Sequence, residues 1–237
     1  MKKANDELLS LKYDCNFKEV NGLNWLPWIG KDYFSSERRV LIVGESHYLT
    51  GSEKNLQEVS QQDFTRNVIQ TKCIDDKEKD QPTFDNLTRC LFGKKKMNEK
   101  EKREKVWQHL AFYNFVQRPM KTNKKRPKPS DMNIGWEVFA ELIKILKPTE
   151  CIFIGFAAVD SCYNPYKCQH SEDIVGRYTA RIFSAKIDEQ HTCQCIAIKH
   201  TSQYFSWKKW RKFLKEEYPD MMKYLKYQFP QTEENSN

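Results

Sequence analysis

The chain has no run of apolar residues near the roughly 20 needed to cross a bilayer. Its longest, such as Val40-Leu41-Ile42-Val43 and Cys151-Ile152-Phe153-Ile154, have the length of buried strands. Near the N-terminus, Met1-Lys2-Lys3-Ala4-Asn5-Asp6-Glu7 turns acidic where an export signal needs an apolar centre. The expectation is a protein without membrane contact, located in the cytoplasm. No Cys-x-x-Cys pair occurs, so the 8 cysteines read as reduced, mostly buried thiols rather than disulfides or a zinc site. Internal repeats are also lacking.

What is present is a core and a charge. Aromatic residues make up 13% of 237 residues, enough apolar bulk for a folded domain and against global disorder. The length suggests one domain over 1–230, with a charged insertion at about 74–105 and a disordered tail at 231–237. The formal net charge of +8 makes a polyanion such as nucleic acid a candidate partner.

Four short runs read as buried strands: Arg39–Gly44, Ala111–Val116, Glu150–Gly155 and Cys193–Lys199. Helical spacing fills Asp63–Thr71, Glu99–His109, Gly135–Leu146 and Phe205–Tyr227. Alternation of strands and helices predicts an α/β chain: a three-layer α/β/α sandwich around a central, mainly parallel four-stranded sheet. Such sheets bind ligands beyond the carboxyl ends of their strands. Gly44-Glu45-Ser46-His47-Tyr48, Asn114 and His200-Thr201-Ser202 fall at three of those ends. The stretch Lys121–Ser130 holds Lys121, Lys124, Lys125, Arg126 and Lys128 and no apolar residue. It reads as a solvated loop or a phosphate clamp.

These motifs, in this order, resemble those of the uracil-DNA glycosylase superfamily, of which the chain looks like a divergent member. Gly44-Glu45-Ser46-His47-Tyr48 is similar to the family's first motif. Asn114-Phe115-Val116-Gln117-Arg118-Pro119 is similar to Asn-Val-Val-Lys-Cys-Arg-Pro of its iron–sulfur branch. Leu146-Lys147-Pro148 leads into a strand ending at Gly155, and His200-Thr201-Ser202 stands in the place of His-Pro-Ser. The resemblance spans about 36–48 and 110–212. Two departures stand out: Ser46 occupies the position of the best-known branch's water-activating aspartate, and the cysteines of an iron–sulfur cluster are missing.

The resemblance implies a DNA glycosylase that flips a base out of single- or double-stranded DNA and hydrolyses its N-glycosidic bond, as in DNA repair. His200 would donate to the departing base, and Ser46, Glu45 or His47 would position water. Asn114 would read the base edge, Gly44 and Tyr48 would shape the pocket, and Phe64 would stack. Ser202 would hold phosphate, with Lys121, Lys124, Lys125, Arg126, Lys128 and Lys208 attracting the backbone. No cofactor or metal is expected, and a monomer is. The rival reading is a catalytically inactive module of this fold that binds DNA, a nucleotide or a protein. Two further readings carry less weight: a Ser46–His200 esterase, and metal binding by Cys162, Cys168 and His170 or by His191, Cys193 and Cys195.

Overall fold

Buried strands alternate their side chains between two faces, so a strand with no polar residue must be covered on both. The computed structural model describes residues 1–49, 51–75, 82–93, 99–122 and 125–228. Its strands are β1 (Trp28–Ile29), β2 (Val40–Gly44), β3 (Leu110–Asn114), β4 (Glu150–Ile154), β5 (Gln169–Val175), β6 (Tyr178–Lys186) and β7 (Thr192–Ile198). They form one sheet in the order β1-β3-β2-β4-β7-β6-β5.

The chain is α/β, but the expected sheet of four is a sheet of seven. The four expected strands lie side by side as the parallel set β3-β2-β4-β7. β1 adds antiparallel at one edge, and β6 and β5 add antiparallel at the other. Only half the neighbouring pairs are therefore parallel. The added strands left little trace in the sequence for physical reasons. β1 has two residues. β5 is an exposed edge strand whose register breaks between His170 and Ile174. β6 fully buries only Ala180 on one face and Phe183 and Ala185 on the other, so none carries an unbroken apolar run.

The helices are α1 (Asp14–Lys18), α2 (Glu53–Val59), α3 (Phe64–Ile69), α4 (Pro82–Phe92), α5 (Lys100–Gln108), α6 (Pro129–Leu146), α7 (Trp207–Glu217) and α8 (Pro219–Gln228). Val40, Ile42, Leu110, Phe112, Ile152, Ile154, Ile196 and Ile198 pack with buried residues of α4, α5, α7 and α8. The alternate residues Leu41, Val43, Ala111, Tyr113, Cys151, Phe153, Cys195 and Ala197 pack with α6. Helices thus cover both faces of the central strands.

The segment read as a charged insertion contributes core. Leu87, Cys90, Leu91 and Phe92 of α4 are buried, as are Val106 and Trp107 of α5, just past the segment's expected end, while 76–81 and 94–98 lie outside the described residues, as does the tail 231–237. The stretch 205–227, expected as one or two helices, is two, broken before Pro219, which cannot continue the hydrogen-bond ladder of α7.

α6 begins six residues before the expected Gly135. Pro129 is pre-set for a first helical turn, and the Asp131 carboxylate accepts from the Lys128 N–H at 2.6 Å and bidentately from Arg118 at 2.6 Å. The same helix ends at Lys147, which adopts φ +44° and returns its N–H to the Ile143 carbonyl at 2.8 Å. Pro148 follows and β4 begins two residues later.

Candidate functional site

Beyond the carboxyl ends of β2, β3 and β7 lies a cavity of about 570 Å³. Of the residues singled out from sequence, Gly44, Glu45, Ser46, His47, Tyr48, Phe64, Asn114 and His200 line it. Residues 70 and 86 positions apart in the chain meet there because parallel β2, β3 and β7 present the same end to one side of the sheet.

The segment after β2 is laced to the segment after β3. Phe115 and Val116 donate their N–H groups to the carbonyls of Gly44 and Glu45, both at 2.9 Å, and Met120 donates to His47 at 2.8 Å. Gly44 is a glycine because Asn114 lies over it: a Cβ there would sit 2.1 Å from Asn114 Oδ1. Asn114 is 4% exposed, and among the described residues its side-chain amide makes no hydrogen bond. Its backbone is fixed by Gln117, whose Nε2 donates to the Asn114 carbonyl at 2.5 Å while its Oε1 accepts from the backbone of Asn24 and Trp25 at 3.0 and 3.1 Å. A buried amide with donor and acceptor both free is set up to read a polar planar edge.

The ring of His200 has a defined tautomer. The Ser202 backbone N–H, which can only donate, points to Nδ1 at 3.3 Å, and the Ser202 hydroxyl lies 2.9 Å from the same nitrogen. Nδ1 therefore keeps its lone pair, and the neutral ring carries its proton on Nε2. Burial, followed by the positive charges of Arg126 and Lys199, lowers the His200 pKa, so the ring is neutral at pH 7. Ser202 does not line the cavity; it orients His200.

The three candidates for handling water differ. His47 is buried, donates or accepts at Nε2 with the Thr65 hydroxyl at 2.9 Å, and meets Trp25 and Phe64 edge-on at 5.0 and 4.7 Å. Burial, helped by Lys72, pushes its pKa down to about 3, which makes it a weak base. The Ser46 hydroxyl is buried without a hydrogen-bond partner, and His200 Nδ1 is engaged by Ser202. No Ser–His pair of the esterase type is formed. Glu45 keeps a carboxylate whose pKa burial raises and Arg126, 3.9 Å away, partly restores.

Tyr48 is 37% exposed at the rim. Arg126 stands by Glu45, whereas Lys121, Lys125, Lys128 and Lys208 are exposed and line no part of the cavity. Lys124 lies outside the described residues. No helix among the described residues is long and apolar enough to cross a membrane.

The sequence reading missed three contributors. Phe84 and Lys72 line the cavity, and Asn86 donates from α4 to the carbonyls of Thr201 and Ser202 at 2.8 and 3.2 Å, tying down the His200 loop. Phe84 and Asn86 sit in the segment dismissed as charged. The signal was its spacing, with Phe84, Leu87 and Leu91 on one helical face. Comparison with protein-family models and with curated proteins finds no match.

Proposed function

We propose that the cavity receives a nucleobase flipped from DNA, uracil or a related damaged or modified base, and that the protein hydrolyses its N-glycosidic bond. The observation that carries this reading is the presence, in one cavity, of the unengaged Asn114 amide and of a neutral His200 whose proton is directed to Nε2. A base presents both donors and acceptors on its edge, and the Asn114 amide offers both in return.

The chemistry follows from the charges that develop. As the bond between C1′ and the base nitrogen breaks, negative charge collects on the base and positive charge on the sugar. The Nε2–H of His200 donates to a carbonyl oxygen of the departing base, and a preorganised neutral donor costs no reorganisation at that moment. Water adds its oxygen to C1′ and gives its proton to the Glu45 carboxylate, the one group of Glu45, Ser46 and His47 with the basicity for it. The products are the free base and an abasic sugar. Phe64 and Phe84 supply apolar walls, and the cationic segment Lys121–Lys128 supplies salt-dependent attraction to the strand.

One observation favours a second reading, an inactive module that binds DNA, a nucleotide or a protein through the same cavity: Ser46 holds the place where the resemblance leads one to expect an aspartate, and its hydroxyl engages nothing. The His200→Ala variant separates the two. An enzyme loses base release and keeps DNA binding; a binding module has no release to lose.

A further inference from the structure

On the sheet face covered by α6, three thiols converge. Cys151 of β4 is paired in register with Cys195 of β7, and Cys193 sits two residues back on the same face of β7. All three are completely buried, and their sulfurs lie within 4.8 Å of one another, with Cys193 and Cys195 sulfurs 3.8 Å apart. This grouping differs from the one that spacing suggested. His191 is engaged with Asp188 at 2.7 Å, and Cys151, 42 residues before Cys193 in the chain, takes its place.

The surroundings of the cluster are short of acceptors. Tyr33 and Tyr113 belong to the same packed layer. Both are completely buried, and neither hydroxyl has a hydrogen-bond partner. Cys151 and Cys193 act electrostatically on Tyr33, and Cys151 and Cys195 on Tyr113. Two buried donors without acceptors are costly, each on the order of 1–3 kcal/mol. Neither hydroxyl bonds a cluster sulfur, so the three thiols alone make up the donor set.

We propose that Cys151, Cys193 and Cys195 form a buried trithiolate site for a soft metal ion, copper(I). The donor set decides the ion: three sulfurs with no imidazole or carboxylate among them suit copper(I), which needs no fourth ligand, better than zinc, whose structural sites are four-coordinate. Binding forms copper–sulfur bonds and releases thiol protons to solvent; no electron is transferred. The site lies on the opposite face of the sheet from the α4 side and is independent of the proposed activity.

The test is a titration of the full-length, reduced protein with copper(I) under anaerobic conditions, against a colorimetric copper(I) chelator as competitor. The expected result is one retained equivalent with an ultraviolet thiolate-to-copper charge-transfer band. Cys193→Ala should abolish both, and Cys162→Ser, at an exposed thiol, should change neither. Cys195→Ser removes a different sulfur of the cluster with little change of volume, so it serves where Cys193→Ala fails to fold; it too should abolish retention of copper. Complete loss of copper to the chelator by the wild-type protein, or retention by a folded Cys193→Ala or Cys195→Ser variant, would overturn the proposal.

Discussion

Acidification should destabilise this protein through His47, by an amount the site geometry sets. In the unfolded chain a histidine titrates near 6.5, whereas in the fold burial among Trp25, Phe64 and Thr65 brings His47 down to about 3. Between those values the unfolded state binds a proton that the folded state refuses, so stability falls as pH falls. The contribution is complete above about pH 6.5 and is lost progressively below it, at about 1.4 kcal/mol per pH unit. Lowering the pH from 7.5 to 5 should therefore cost about 2 kcal/mol through this residue, a sizeable part of the roughly 5–15 kcal/mol that holds a domain together. Urea denaturation of the wild type and of His47→Gln at both pH values isolates the effect. His200 and His109, whose pKa values burial also lowers, are present in both proteins and cancel. The stability difference between pH 7.5 and 5 should be about 2 kcal/mol smaller in the variant. Equal differences would refute the reasoning, because they would mean that His47 takes its proton in the folded protein.

Three other outcomes are expected. Gly44→Ala places a methyl 2.1 Å from Asn114 Oδ1; Asn114 must move, and base release should fall about 100-fold or more in a single-turnover assay, with the far-ultraviolet dichroism retained. Asn86→Ala leaves the carbonyls of Thr201 and Ser202 without their donor and should lower stability by about 1–3 kcal/mol in denaturant titration, with a loss of turnover at unchanged DNA affinity. Replacing Lys121, Lys125 and Lys128 together by Gln should weaken DNA binding equally across sequences and make its salt dependence shallower, measured by fluorescence anisotropy at several salt concentrations.

The four central strands were legible because each carries a stretch covered on both faces that reads as an apolar run, as in Val40-Leu41-Ile42-Val43 and Cys195-Ile196-Ala197-Ile198. The edge strand β5 and its neighbour β6 were not, because partial exposure replaces that run with polar residues such as Glu172, Asp173 and Arg181. The same logic divides the candidate site. Gly44, Asn114 and His200 sit at strand ends, where the fold rule points, and the structure brings them to one cavity. Asn86 and Phe84 come from a helix that folds over that cavity from a segment dominated in sequence by charge, and no local pattern marks which strand end a helix will cover. Sequence spacing also paired Cys193 and Cys195 with His191; the sheet register brings in Cys151, a contact between strands that spacing along one strand does not encode.

The proposed function stands or falls on base release. The wild-type protein is incubated in excess over DNA, single- and double-stranded, carrying uracil, hypoxanthine, xanthine or modified pyrimidines, and free base is measured by mass spectrometry beside His200→Ala. Release of one class of base, absent in His200→Ala although that variant still binds DNA, is the predicted result. DNA bound by the wild type with no base released from any member of the panel contradicts the account and leaves the cavity as a binding site.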